Sequence, residues 1–448
     1  MRRFWHILLT ALVFSSCSSD NPVLPEEEPA EEDNVYLEFN KWVYQEMNHQ
    51  YLWREDLPDS LDCDYDLAPR DFFLSLLSDK DRFSYLTTNT SYVAQARLAD
   101  LGFAYQTVAD NQGYTALQVL YVRSDALRAH GLKRGDCIRI VDSSDAGYSL
   151  QKVRIKEGVF EAEPALYEVS GLDEAESSTV LLDTVYTQAD KRIGYLCYLE
   201  FGSKLDLRET LKRFESSQIT DLILDLRYNP GGYVNTCKFL CNCIVSKTAY
   251  GSVFQQCSYN DILSAECLEE TGYSRTYSYF EYPNESSVGE TLGVPLTPLD
   301  IDHLYVITSK YTASASEATI ICVEPYIPVT VIGEQTYGKG VGSWTIADSK
   351  FRYALQPITM RYYNADGVST PDDGIVPDVY IADSYQNKTL EIGDTDESLL
   401  NRALRYISGD TLPDTDLTRA VDSDSPLTPI GEPSYITDFK NKHYNESN

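Results

Sequence analysis

Apolar positions recur every three to four residues in VYLEFNKWVYQEMNHQYLW, placing Val35, Phe39, Trp42, Val43, Met47 and Tyr51 near one helical face. PRDFFLSLLSDKDRFSYL follows with Asp71 as a cap or first-turn acid, and residues 34–95 are predicted to form a small helical domain cored by that aromatic stripe. The period then changes. LGFAYQTV and TALQVLYV read as strands, RSDALRAHGL as a short helix capped by Ser124, LKRGD as a turn and CIRIVD as a further strand. From residue 186 strands and helices alternate. RIGYLCYLEF is a strand, LRETLKRFESSQ an amphipathic helix, and ITDLILDLRYN a mostly apolar strand suited to burial in a sheet. PGG ends it and VNTCKFLCNCIV is helical; HLYVITS, SASEATIICVEPYI and VTVIGE then read as strand, helix and strand. Residues 244–300 are polar and Tyr-rich, and are expected to be an irregular insertion walling a cleft. TYGKGVGSWTI and FRYALQPITMRYYN give a Gly-rich loop and more strands, GIVPDVYI closes the domain, and DESLLNRALRYISG is a terminal helix. The last forty residues are expected to be loosely structured.

The chain has 448 residues, of which 43% are hydrophobic, enough for two or three globular domains. A net charge of −32 argues against nucleic acid as a partner, because phosphate contacts need clustered Lys and Arg.

At the N-terminus, Arg2 and Arg3 precede FWHILLTALVF, which is too short to span a bilayer and long enough for a signal segment. SSCSSD follows. It resembles a bacterial lipoprotein signal, which implies lipidation at Cys17, although Phe14 is unusual three positions before such a cysteine. The alternative is an ordinary secreted protein cleaved nearby. The expected layout is a signal at 1–16 and an acidic, Pro-rich tether at 17–33 that cannot bury a core. Of the ten cysteines, Cys237, Cys241 and Cys243 cluster without the paired spacings or nearby His of a zinc site, so no metal is expected. A Cys257–Cys267 disulfide stays open as a reading.

Ser314 in YTASASEATI poses the chemical question. Ser314 and Glu317 fit a capping box, and Ser314 equally fits a nucleophile if a base and an oxyanion site exist. The five histidines, His6, His49, His130, His303 and His443, offer no attractive Ser-His-Asp triad. A neutral lysine can serve instead, and Lys339 sits between glycines in TYGKGVG. DLRYNPGG, residues 225–232, ends a buried strand in a strand-to-helix turn whose amides can face an anion. Taken singly, each motif reads as a cap, a solvated loop or a tight turn.

DLRYNPGG, TASASEA, TYGKG and GIVPD, in that order, resemble the carboxyl-terminal-processing (tail-specific) serine peptidases, which are related to the tricorn protease core. The likeness covers roughly residues 34–408. It implies an α/β crotonase-like catalytic core at 186–408, a Ser-Lys dyad and protein or peptide substrates, with no cofactor. Ser314 falls on the nucleophile, with Thr312 at the first serine position of the family motif, and Lys339, 25 residues on, falls on the base. The resemblance further implies oxyanion amides from Ala315 and from Gly231 or Gly232. Where many members carry a lysine-positioning glutamine, this chain has Ser343. Glu317 reads as a cap or structural residue. Residues 96–185 resemble a PDZ domain through GLKRGD and its flanking helix and strand, with Leu101, Gly102 and Phe103 as a carboxylate-binding loop beside a strand edge that takes an extended peptide. Residues 409–448 remain a tail. The implied setting is the bacterial cell envelope, with the membrane reached through a lipid anchor. The rival reading is a catalytically silent PDZ scaffold, and oligomeric state is not set by these residues.

Overall fold

The computed structural model describes residues 33–88, 101–144, 147–169, 178–283, 297–351, 353–383, 389–409 and 427–444. The signal-like segment, Cys17 and all but the last residue of the tether lie outside the described residues. The apolar run in ITDLILDLRYN forms the strand Asp221–Asp225, every residue of which is buried. It lies inside a six-stranded sheet ordered Val379–Tyr380, Val329–Gly333, His303–Thr308, Asp221–Asp225, Lys191–Tyr198, Val180–Gln188. All neighbours run parallel except the last pair, which is antiparallel. Parallel strands need crossovers, and helices Lys204–Ser217, Val234–Ile244 and Ala315–Val323 supply them. Leu207, Phe214, Leu240 and Ile321 from these helices pack one face of the sheet with Leu222 and Leu304. The other face is covered by Leu399, Leu400 and Leu404 of helix Ser398–Ile407. Among the described residues no helix is long and apolar enough to cross a membrane.

A second six-stranded sheet is antiparallel throughout, ordered Thr428–Ile430, Phe103–Ala109, Thr115–Val122, Cys137–Ser144, Gly147–Lys156, Val159–Val169. The side chain of Ser124 caps helix Asp125–Ala129 by accepting from the Leu127 amide, as the sequence suggests. The domain boundary drawn at residue 185 falls within a strand of the first sheet, since Val180–Gln188 pairs with Lys191–Tyr198.

Three expectations need correction. Residues 34–95 are not purely helical: Asp33–Gln50 and Pro69–Ser75 are helices, but Tyr85–Thr88 is a strand paired with Tyr353–Gln356. The predicted aromatic stripe is core, with Phe39, Val43, Met47 and Tyr51 packed against Leu355 and Ile358 from far along the chain. Residues 244–300 are not an irregular insertion where described. Val253–Ser258 and Thr276–Tyr279 join Ile358–Tyr363 and Val341–Ser343 in a four-stranded sheet, and Asn260 caps helix Asp261–Thr271. The last forty residues also contain order, namely strand Thr428–Ile430 and helix Ser434–Tyr444. Tyr85–Thr88, Val253–Ser258 and Thr428–Ile430 each pair with a strand distant in sequence, and β structure takes its stability from such a partner. Cys257 and Cys267 are unbridged.

The two large sheets are joined by buried charge. Arg227, fully buried, donates through Nη1 and Nη2 to the two oxygens of Glu397 at 2.8 and 3.0 Å, and through Nε to Asp225 at 3.0 Å. Arg134, from the LKRGD turn of the second sheet, pairs with Asp383. Tyr228 Oη donates to the other Asp383 oxygen at 3.0 Å. Glu397 doubles as the cap of helix Ser398–Ile407, accepting from the Leu400 amide at 3.0 Å.

Burial alone would raise the Asp383 carboxyl, but the guanidiniums of Arg134 and Arg227 overcome it and hold it at about 2, below its ordinary 3.8. A depressed carboxylate contributes stability above its unfolded value that is lost as pH falls through the folded one. Asp383→Asn is therefore expected to be less stable than wild type at pH 7. It should also lose about 2 kcal/mol less than wild type between pH 4 and pH 2. Urea midpoints across that range measure both.

Candidate active site

Ser314 sits where the loop after strand His303–Thr308 turns into helix Ala315–Val323. Its φ of 58° and ψ of −114° lie outside the comfortable regions for a residue with a Cβ, so the surroundings must hold it there. They do so through the backbone of the neighbouring DLRYNPGG turn. Thr312 Oγ1 donates to Leu226 O at 2.8 Å, Ser309 Oγ to Arg227 O at 2.5 Å and Ser316 Oγ to Asn229 O at 3.0 Å. Gly231, at φ 115°, closes the contact. A Cβ there would stand 2.8 Å from Ser314 Cβ and 3.2 Å from the Ala315 nitrogen, so only glycine fits. The structure thus brings Gly231, Ser314 and Ala315 together, with Gly232 adjacent. The Gly231 amide donates to Asn229 Oδ1 at 2.9 Å within its own turn.

Glu317 is buried completely one turn into the helix. Its Oε2 accepts the amides of Ser314 and of Lys339, both at 2.8 Å. Its Oε1 accepts Thr336 Oγ1 at 2.5 Å and the Gly338 amide at 2.8 Å. The glutamate half of the capping box is present, and the same carboxylate pins the lysine loop to the start of the serine helix. One oxygen serves both amides, so the Ser314 and Lys339 nitrogens are at most twice 2.8 Å apart. Burial raises the Glu317 carboxyl above its ordinary value, and the four donors oppose that shift.

The loop is fixed from outside as well. Tyr337 N donates to Thr312 O at 2.9 Å, and Arg82 Nη2 donates to Gly338 O at 3.2 Å and Asp372 O at 2.8 Å. Gly338 has φ 88°, and a Cβ there would meet Asp372 O at 2.3 Å. Lys339 Nζ lies over the Phe83 ring, 5.2 Å from its centre. A cleft of about 210 Å³ is lined by Pro230, Ala313, Lys339, Phe83, Tyr337 and Ile436, among others.

Other expected residues fall elsewhere. Ser343 is exposed on strand Val341–Ser343, opposite Ile358. Leu101 and Phe103 are buried in the core of the second sheet, and Gly102 O accepts the amides of Arg123 and Ser124 at 2.8 and 3.0 Å. The outer edge of the following strand, where a peptide was expected to add, is paired with Thr428–Ile430 of this same chain. His303 stands at the far end of its strand, stacked on Tyr305 at 4.2 Å, and none of the described histidines lines the cleft. Among the described residues no His, Cys, Asp or Glu cluster suits a metal. Asn229, Arg82, Phe83 and the segment around Ile436 border the site without being candidates on sequence alone. Only Asn229, inside DLRYNPGG, carried a local signal.

Residues 192–381 match the domain "Peptidase family S41", and residues 38–85 match "Peptidase S41 N-terminal domain". A carboxy-terminal-processing protease of Bartonella bacilliformis is 25% identical over 241 residues, covering 50% of this chain and 49% of that one. A "Probable CtpA-like serine protease" of Staphylococcus aureus is 23% identical over 202 residues, covering 43% and 35%. The chain thus spans about half or less of the length of these curated relatives. A crystal structure of an S41-type protein from Bacteroides fragilis superposes with a TM-score of 0.65 at 23% identity, over 87% of this chain and 100% of the other, a likeness of fold.

Glu317→Ala strips the acceptor from three amides and a hydroxyl in a buried place. It is expected to cost about 3 kcal/mol in urea unfolding, since unmade buried hydrogen bonds cost 1–3 kcal/mol each and relaxation recovers part. Amide exchange at Gly338 and Lys339 should accelerate selectively, which hydrogen-exchange mass spectrometry reads directly.

Proposed function

We propose that this chain, which belongs to peptidase family S41, is a serine endopeptidase in which Lys339 is the base for Ser314. The observation that carries the proposal is the shared acceptor: Glu317 Oε2 holds the backbones of the candidate nucleophile and the candidate base side by side. In this reading Ser314 Oγ attacks the scissile carbonyl while a neutral Lys339 amine takes its proton. The carbonyl oxygen becomes an anion facing the amides of Ala315 and Gly232. Gly231, whose own amide is already donated to Asn229, acts chiefly by its lack of a side chain against Ser314. The first turn of helix Ala315–Val323 adds its positive end. Lys339 then returns the proton to the leaving amine, giving an acyl-enzyme on Ser314. Water, deprotonated by Lys339, hydrolyses that ester and frees the serine. Ser343, exposed on its strand, is left as a minor contributor to lysine position.

The wider assignments belong to the same proposal. The core is read as crotonase-like. The second sheet is read as a PDZ-like module, with Leu101, Gly102 and Phe103 leading into its peptide-binding strand. Cys17 is read as the lipid-bearing residue that tethers the enzyme to the cell envelope, where unfolded proteins or peptides are its substrates. A silent scaffold is not favoured, because the serine turn and the lysine loop are both tied to one carboxylate.

The chain from residue 33 onward should cleave an unstructured protein. Ser314→Ala and Lys339→Ala are each expected to lower kcat/KM at least ~1000-fold, in line with losses of nucleophile or base elsewhere. Equal cleavage by all three proteins, followed by gel or mass spectrometry, would exclude the dyad.

A further inference from the structure

Residues 427–440 do two things at once. Thr428–Ile430 pairs with the outer edge of strand Phe103–Ala109, in the register Thr428 to Ala109, Pro429 to Val108 and Ile430 to Thr107. Gln106 Nε2 donates to Ile430 O at 2.9 Å and to Gly431 O at 3.2 Å, and the Tyr105 amide donates to Ser434 Oγ at 2.9 Å. The helix that follows then crosses to the serine turn. Tyr435 is 8% exposed and packs edge-on against Tyr228 at 5.6 Å and Tyr311 at 6.1 Å. Tyr228 belongs to DLRYNPGG, and Tyr311 lies three residues before Ser314. Glu432, Ile436, Phe439 and Lys440 complete the lining of the cleft that holds Ala313 and Lys339.

The strand pairing is the weak part of this attachment, whereas Leu427, Tyr435 and Ile436 are buried. The strand is three residues long and exposed at every position, and Pro429 has no N–H to give. Short edge pairings of this sort open at far lower cost than a core strand. The cleft beneath measures about 210 Å³, below the ~300 Å³ at which pockets for small ligands begin, and a polypeptide needs more.

We propose that residues 427–440 are a displaceable strap. In the resting chain they fill the strand edge and roof the cleft, and an extended polypeptide substrate enters only by taking their place. The edge is then not a vacant docking site but a site of exchange, in which an incoming segment competes with one already tethered. This rests on reading the cleft as a peptidase site, and the test below separates the two.

Thr107→Cys/Ile430→Cys joins the paired positions, so that oxidation locks the strap on. Tyr435→Ala/Ile436→Ala loosens it. In the full chain, the oxidised lock is expected to cut cleavage of an unfolded protein at least ~10-fold, with recovery on reduction, and the loosened variant to raise it several-fold. A second readout needs no catalysis. In a Ser314→Ala background, a fluorescein-labelled peptide of residues 427–440 should bind the loosened variant at least ~10-fold more tightly than the oxidised lock, by fluorescence polarisation. If no protein shows Ser314-dependent cleavage, the peptidase reading falls while the peptide binding still decides the strap. Cleavage by the oxidised lock at the reduced rate, or peptide binding indifferent to lock and loosening, overturns the strap. Should the loosened variant fail to fold, the lock alone decides, read against wild type oxidised in the same way because Cys63, Cys257 and Cys267 are also free and partly exposed.

Discussion

The carboxylate of Glu317 is the contact on which the site's geometry depends. A charge buried this deeply is costly unless its acceptor capacity is used. Here four donors use it, and they come from two separate pieces of chain. Two are the backbone amides of the candidate nucleophile and the candidate base, Ser314 and Lys339. The cost of burying the charge therefore falls due if either piece drifts away, and the serine turn and the glycine-flanked loop behave as one rigid body. A merely apolar contact would tolerate sliding. Four directed hydrogen bonds do not.

A second buried network performs the same service one layer down. Arg227 follows Asp225 in the strand end that leads to Asn229 and Gly231, and its guanidinium is gripped from both sides by Asp225 and Glu397. Through Asp383 it also meets Arg134 of the second sheet. Such networks add little net stability over apolar packing, but they permit only one arrangement of their members. The turn that abuts Ser314 is thus referenced to the central sheet, the C-terminal helix and the antiparallel sheet together. A movement of the LKRGD turn would be felt at Asp383 and hence at Arg227, a few residues from Gly231.

How much of this was legible in the chain depends on the range of the interaction. The helix Ala315–Val323, the strand Asp221–Asp225 and the cap at Ser124 follow from residues within one turn or one strand, and they appear where the pattern puts them. Val253–Ser258 was not legible, because its partner Ile358–Tyr363 lies a hundred residues later and its own pattern is ambiguous. Thr428–Ile430 carries a proline and no alternation of buried and exposed positions. It is a strand only because Phe103–Ala109 offers it an edge. Glu317 shows the same division inside one side chain. Its bond to Ser314 is a local cap readable from Ser-x-x-Glu, whereas its bonds to Thr336, Gly338 and Lys339 exist only after the loop has folded back.

By itself, then, the amino-acid sequence determined the identities of the candidate groups: a serine at a helix start, a lysine between glycines, and a glycine pair after a buried strand. It did so because caps, turns and buried strands are set by neighbours in the chain. The tertiary structure alone decided that these meet, that Arg82 and Phe83 from the N-terminal segment border the lysine, and that residues 427–440 lie over the cleft. Those contacts join positions from 22 residues apart, at Glu317 and Lys339, to 256 apart, at Arg82 and Gly338. They form only when burial of two large sheets and two charge networks makes the entropy of closing such loops worth losing.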